Sequence, residues 1–234
     1  MVTLRRTVRF CVNDDARDPS IAAQPVAGVN GFAGKPAMRG LGRYYEVDVI
    51  CRGTPDADTG YLINIKDIDQ AARATIVPAI TRACRERPWI EPSSLLIEVA
   101  GSVQAALTPF EVRSLLWRLT PTYSVELAVR EEDPRMTSVL LRQRFDFAAA
   151  HRLHVPGRSD EDNRALFGKC NNPSGHGHNY LVEPCVEFVD PGVFSLADLE
   201  RLTIEHVIDV YDHPHLNEDT DAFGHAGGVT PSVE

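Results

Sequence analysis

His176 and His178 stand two apart in the stretch SGHGHNY, and His151 closes the stretch FDFAAAH. On a β-strand, residues i and i+2 project from one face, so an H-x-H pair presents two imidazoles to a single ion. A neighbouring strand ending at His151 would bring a third. Three histidines with one open position are the ligand set of a catalytic zinc. An H-x-H pair alone also suits ordinary surface histidines. The distribution of the residue favours the metal: all eight histidines lie at or after position 151. Core histidines would be expected throughout the chain.

The elements that must position these residues belong to a degenerate repeat. Around Gly40 the chain reads GLGRYYEVDVICRG, and around Gly175 it reads GHGHNYLVEPCVEF. Both copies place Gly-x-Gly and then Tyr at the same offset, and both run into an apolar alternation. Tyr45, Val47, Val49 and Cys51 alternate with polar neighbours as a half-buried strand requires, while Pro184 suits an edge or a bulge in the second copy. The first copy has Leu41 and Arg43 where the second has His176 and His178. The scaffold therefore does not itself require imidazoles at those positions.

A helix is predicted after each strand, with Asn64 and Ser195 as N-caps and Asp67 and Asp198 three residues on. Leu199, Leu202, Val207 and Val210 form a rough apolar helical face. In the first half, LTPFEVRSLLWRL reads as a short second helix capped by Thr108. YSVELAVRE and MTSVLLRQRFDF read as strands. The first unit, 1–143, is thus strand, strand, helix, helix, strand, strand. The second, 144–234, starts the same order and stops before its last helix and two strands. It is expected to be C-terminally incomplete or completed by another chain.

Composition narrows the function classes. With 43% hydrophobic and 24% charged residues, the chain reads as an ordinary globular protein long enough to bury a core. No apolar run reaches membrane-spanning length, and no apolar region follows the basic start, so neither a membrane anchor nor a signal peptide is expected. Five widely spaced cysteines argue for a reducing compartment, the cytoplasm. The net charge of −9 argues against a nucleic-acid partner. Arg152, Arg158, Arg164 and Lys169 can still supply local positive charge for a phosphorylated small molecule.

FDFAAAHRL, LFGKCNNPSGHGHNY and YDHPHLN, in that order, resemble the three signature segments of the 6-pyruvoyltetrahydropterin synthase family. That family includes the related 6-carboxytetrahydropterin synthases of queuosine biosynthesis. The resemblance spans Phe145 to Asn217; the first unit shares only the skeleton. It implies an α+β protein of two tandem tunnelling-fold units, ββααββ in order, the second catalytic and the first degenerate. It implies association into a homo-oligomer, zinc held by His151, His176 and His178, and 7,8-dihydroneopterin triphosphate as substrate. Cys170 matches the family's general base, and Asp212 with His213 matches the pair that assists proton transfer. Other readings of these residues are a small buried thiol, as for Cys11, Cys51, Cys84 and Cys185, and a polar helix end. His215 and His225 read as surface residues.

The family anchors its pterin through a glutamate on the strand after the second helix. Glu234 does not match it; Glu131, in LAVREED of the first unit, does, and would serve across a subunit interface. Five residues separate Cys170 from His176, a spacing resembling that of the pyruvoyl-forming enzymes, with the carboxy-forming reaction as the alternative. Two rivals are a zinc hydrolase of the amidohydrolase type, for which too little chain follows His178, and a non-catalytic pterin-binding or assembly subunit.

Overall fold

The computed structural model of the chain describes residues 1–13, 38–133, 136–190, 192–223 and 230–232. His225 and Glu234 lie outside the described residues. The chain divides into two compact units, Met1–Arg142 with Cys185–Ser195, and Gln143–Pro184 with Leu196–Glu234. Both mix helices with antiparallel strands, the α+β class.

The first unit is built on a six-stranded sheet. Its strands are β1 (Val2–Val12), β2 (Arg43–Gly53), β3 (Glu111–Arg118), β4 (Tyr123–Val129), β5 (Thr137–Gln143) and β8 (Cys185–Phe188), in that spatial order. The alternation read around Tyr45 is the alternation of β2: Val47, Val49 and Cys51 are buried in the core. Helices α1 (Ile65–Glu86) and α2 (Pro92–Ala106) pack on the sheet. Asn64 caps α1 as predicted, its side-chain oxygen accepting from the Lys66 amide at 3.0 Å. Ile68, Ile76 and Ile80 then fall on one buried face.

The segment predicted as a second helix, LTPFEVRSLLWRL, is instead strand β3. Six consecutive β3 residues, Val112 to Trp117, are buried, because the strand lies between β2 and β4 and is covered on both faces. A strand covered on both faces loses its period-2 signature, and with Arg113 and Ser114 between them Val112, Leu115 and Leu116 fall at helix-like spacing. The second helix is α2, which opens with Pro92 in its first turn and buries Leu95, Leu96, Val99 and Val103 at helical spacing.

The second unit centres on a two-stranded ribbon of β6 (Phe145–His151) and β7 (His176–Val182). Between them come a short helix, α3 (Asp160–Phe167), and one 3₁₀ turn (Gly168–Asn171). Pro184 falls in the break after β7. The strand beyond it, β8, pairs with β5, so Cys185–Ser195 joins the first unit rather than the second.

Helix α4 (Leu196–Thr203) starts directly after Ser195, with Asp198 in its first turn, and continues through a π-helical segment, Ile204–Ile208, to Asp209–Tyr211. The wider π turn rotates the apolar face. Leu199 is buried, whereas Val210, expected on the same stripe, is exposed. A last turn, α5 (Leu216–Asp219), follows. No helix among the described residues is long and apolar enough to cross a membrane.

Candidate metal centre

The antiparallel register of the β6–β7 ribbon sets His151 directly opposite His176, and Ala149 opposite His178. Opposed residues share a face, as do residues two apart, so all three imidazoles converge. Their ring centroids are 4.6, 4.9 and 4.7 Å apart in the three pairings. Among the described residues this is the group of ligand-type side chains whose donor atoms lie within 4.8 Å of one another. The same face continues into Phe147 and Tyr180, opposed in the ladder and stacked at 5.1 Å.

The donor set fits a zinc ion. His151 is 7% exposed, and its Nδ1 lies 2.5 Å from the Pro231 carbonyl oxygen. A carbonyl only accepts, so Nδ1 carries the proton and the lone pair sits on Nε2. That Nε2 faces Nε2 of His176 at 3.2 Å, while His176 Nδ1 is buried with no hydrogen-bond partner among the described residues. Burial lowers the His151 pKa; the Pro231 carbonyl opposes this, and the neighbouring histidines lower it further. The ring is therefore held neutral, which is the ligating form.

Buried amides fasten the loops around the ribbon. Asn163 is fully buried, and its amide bonds the backbone of Val155 in both directions. Asn171 donates to the Leu153 carbonyl at 2.7 Å and accepts from Arg152. Arg152, two-way bonded through its backbone to Asn217, is thus a committed residue rather than a free cation. Arg158, Arg164 and Lys169 are exposed. Cys170 is half-buried in the 3₁₀ turn, and its carbonyl accepts from the Leu153 amide, two residues past His151.

Asp212 and His213 form a built pair. The Asp212 carboxylate accepts from the Ala148 amide at 3.0 Å with one oxygen, and from His213 Nδ1 at 2.9 Å with the other. The Ala148 amide and then the His213 ring hold this carboxyl below its ordinary pKa. His213 has φ +74°, a left-handed conformation uncommon for a side-chain-bearing residue, and its amide donates back to the Ala148 carbonyl. Its ring is 81% exposed. An open cavity of about 330 Å³, lined by Ala148, Ala150, Gly177, His178, Asn179 and His213, brings His213 and one triad histidine to a common space.

Glu131 belongs to the first unit, past the end of β4. It is 86% exposed and 3.9 Å from Arg113. His215, read as a surface residue, is not one: both of its ring nitrogens are buried. Asn217 and Pro231 were equally invisible as contributors, because each acts across more than 60 residues of chain.

A family model described as 6-pyruvoyl tetrahydropterin synthase matches residues 140–234. Human 6-pyruvoyl tetrahydrobiopterin synthase is 41% identical over 103 residues, covering 42% of this chain and 71% of that protein. A putative 6-pyruvoyl tetrahydrobiopterin synthase of Caenorhabditis elegans is 42% identical over 92 residues, or 38% of this chain and 66% of the relative. A solved structure of the Caenorhabditis elegans 6-pyruvoyl tetrahydropterin synthase shares 41% identity, covering 38% of this chain and 65% of that one, with a TM-score of 0.34.

Proposed function

This chain belongs to the 6-pyruvoyl tetrahydropterin synthase family and is a lyase, and on that premise we propose that its second unit converts 7,8-dihydroneopterin triphosphate to 6-pyruvoyl-tetrahydropterin with loss of triphosphate. The observation that carries the reading is the convergence of His151, His176 and His178 on one face of the β6–β7 ribbon, and the cavity that His178 shares with His213 supports it. The pyruvoyl outcome, rather than the carboxy one, is supported by the names of the relatives and by the Cys170–His176 spacing.

The three histidines would hold a zinc ion. Bound there, zinc supplies an electrophile that draws electron density from the substrate's side-chain oxygens. The chain's own groups then handle protons. Cys170 takes the carbon-bound proton as general base. Asp212 fixes the His213 ring through Nδ1, which leaves Nε2 free to exchange protons at an exposed position. Glu131 offers two carboxylate oxygens to adjacent N–H groups along the pterin edge, from a neighbouring copy in a homo-oligomer.

The two units read as tandem tunnelling-fold modules, the first degenerate. In support, Gly40 and Gly175 both have positive φ, and Phe10–Tyr45 and Phe147–Tyr180 are opposed pairs in their respective ribbons. The deciding experiment is incubation of the zinc-loaded protein with 7,8-dihydroneopterin triphosphate and mass analysis of the products. The pyruvoyl compound plus triphosphate is expected. A carboxy product would move the assignment to the sister reaction, and no turnover would overturn it.

A further inference from the structure

His215 lies outside the triad and the Asp–His pair, yet it touches what holds the triad. Its backbone bridges to Ala150, the residue before His151. Its ring lies against Gly175, the residue before His176: a Cβ on Gly175 would meet His215 Nε2 at 2.5 Å and the His151 carbonyl at 3.0 Å. Gly175 also has φ +68°, so the chain enters β7 by a path that only glycine follows without strain. Both His215 ring nitrogens are buried without a hydrogen-bond partner among the described residues. An imidazole without a hydrogen-bond partner among the described residues, its Nε2–Cδ2 edge filling the space of a missing Cβ, acts by shape.

We propose that His215 is a positioning residue, a wedge that seats the start of β7 against the end of β6 and thereby sets the opening between His151 and His176. The proposal rests on the triad being a metal site. Side chains behind metal ligands typically alter affinity by about 10–100-fold when lost, because they fix ligand orientation. His215 does so through packing, and the quantity it controls is metal affinity rather than a chemical step.

The test replaces His215 by Phe, Leu and Ala in the full chain. Zinc affinity is measured by competition with a chromophoric chelator, and ligand geometry by the absorption bands of the cobalt-substituted protein. His215→Phe, which keeps a flat ring, should stay near the parent affinity, while His215→Ala should bind about tenfold or more weakly with shifted cobalt bands, and His215→Leu should fall between. Equal affinities, within about twofold, with unchanged bands would overturn the proposal, and so would a Phe variant as weak as the Ala variant. If His215→Ala does not fold, the Phe–Leu comparison decides by the same criterion. A parent protein that binds neither ion would instead refute the metal reading on which the proposal stands.

Discussion

The β1–β2 and β6–β7 ribbons share their backbone devices and differ in what they display. Each second strand is entered through a glycine with positive φ, Gly40 at +54° and Gly175 at +68°. Each carries a Phe–Tyr cross-strand pair, with ring centroids 5.9 Å apart in the first ribbon and 5.1 Å in the second. Where the second ribbon has His176 and His178, the first has Leu41, fully exposed, and Arg43, whose guanidinium reaches the Cys84 carbonyl. Tyr45, the counterpart of Tyr180, packs edge-on to Trp117 in an apolar core. The interior of the second unit is more polar, with His151, Asn163, Asn171, Thr203 and Thr220 buried. The fold thus forms without imidazoles. Under the proposed function their presence in one ribbon serves chemistry, and the buried amides hold the polar surroundings in place.

The comparison breaks most decisively on metal content. The purified protein should hold about one zinc per chain and His176→Ala none, since only the second ribbon has three imidazoles. Two equivalents by elemental analysis would mean that the first unit also binds metal. Next in size is Cys170→Ala, which should keep its zinc while turnover falls ~10²–10⁴-fold, the usual contribution of a general base. Near-normal kcat would place the base elsewhere.

A third variant perturbs the first unit alone. Asp48 is fully buried; burial raises its pKa, but hydrogen bonds from Arg118 at 2.8 Å and Thr7 at 2.6 Å outweigh this and leave it lowered. Asp48→Asn should destabilise the fold by ~1–3 kcal/mol in denaturant titration, with zinc content unchanged. A carboxyl with a lowered folded pKa contributes stability above its unfolded pKa and loses it as pH falls through the folded value. The gap between parent and variant should therefore close in acid, below about pH 4. A gap that persists in acid would show that the Asp48 charge is not its source. The smallest effect is expected from Glu131→Gln, which should raise KM roughly tenfold by leaving one ring N–H unpaired, without loss of zinc. An unchanged KM would make the first unit scaffold only.

What could be read from the sequence was local. The triad followed from H-x-H spacing and strand geometry, and the N-cap at Asn64 from one side chain and its neighbours. Strand β3 was misread because a strand buried on both faces carries no alternation, and Val210 because a π turn leaves no mark in residue types. His215, Asn217 and Pro231 act through contacts that exist only once β6, β7 and the chain after α4 are brought together. No spacing rule encodes such contacts. Pairing of β8 with β5 was hidden for the same reason, since it depends on which sheet the chain enters after Pro184.

The hold of Asp212 and His213 on Ala148 has a second consequence, for aggregation. Together with the Ala150 amide, which donates to the Pro214 carbonyl, these bonds occupy the side of β6 that faces away from β7. An open strand side is a template on which foreign chains add as cross-β layers. Here the segment that carries Asp212 and His213 also covers that side of β6 at Ala148 and Ala150. Removal of the Asp212 carboxylate would therefore release the Ala148 amide as well as the His213 ring, so under the proposed function activity and resistance to aggregation would fall together.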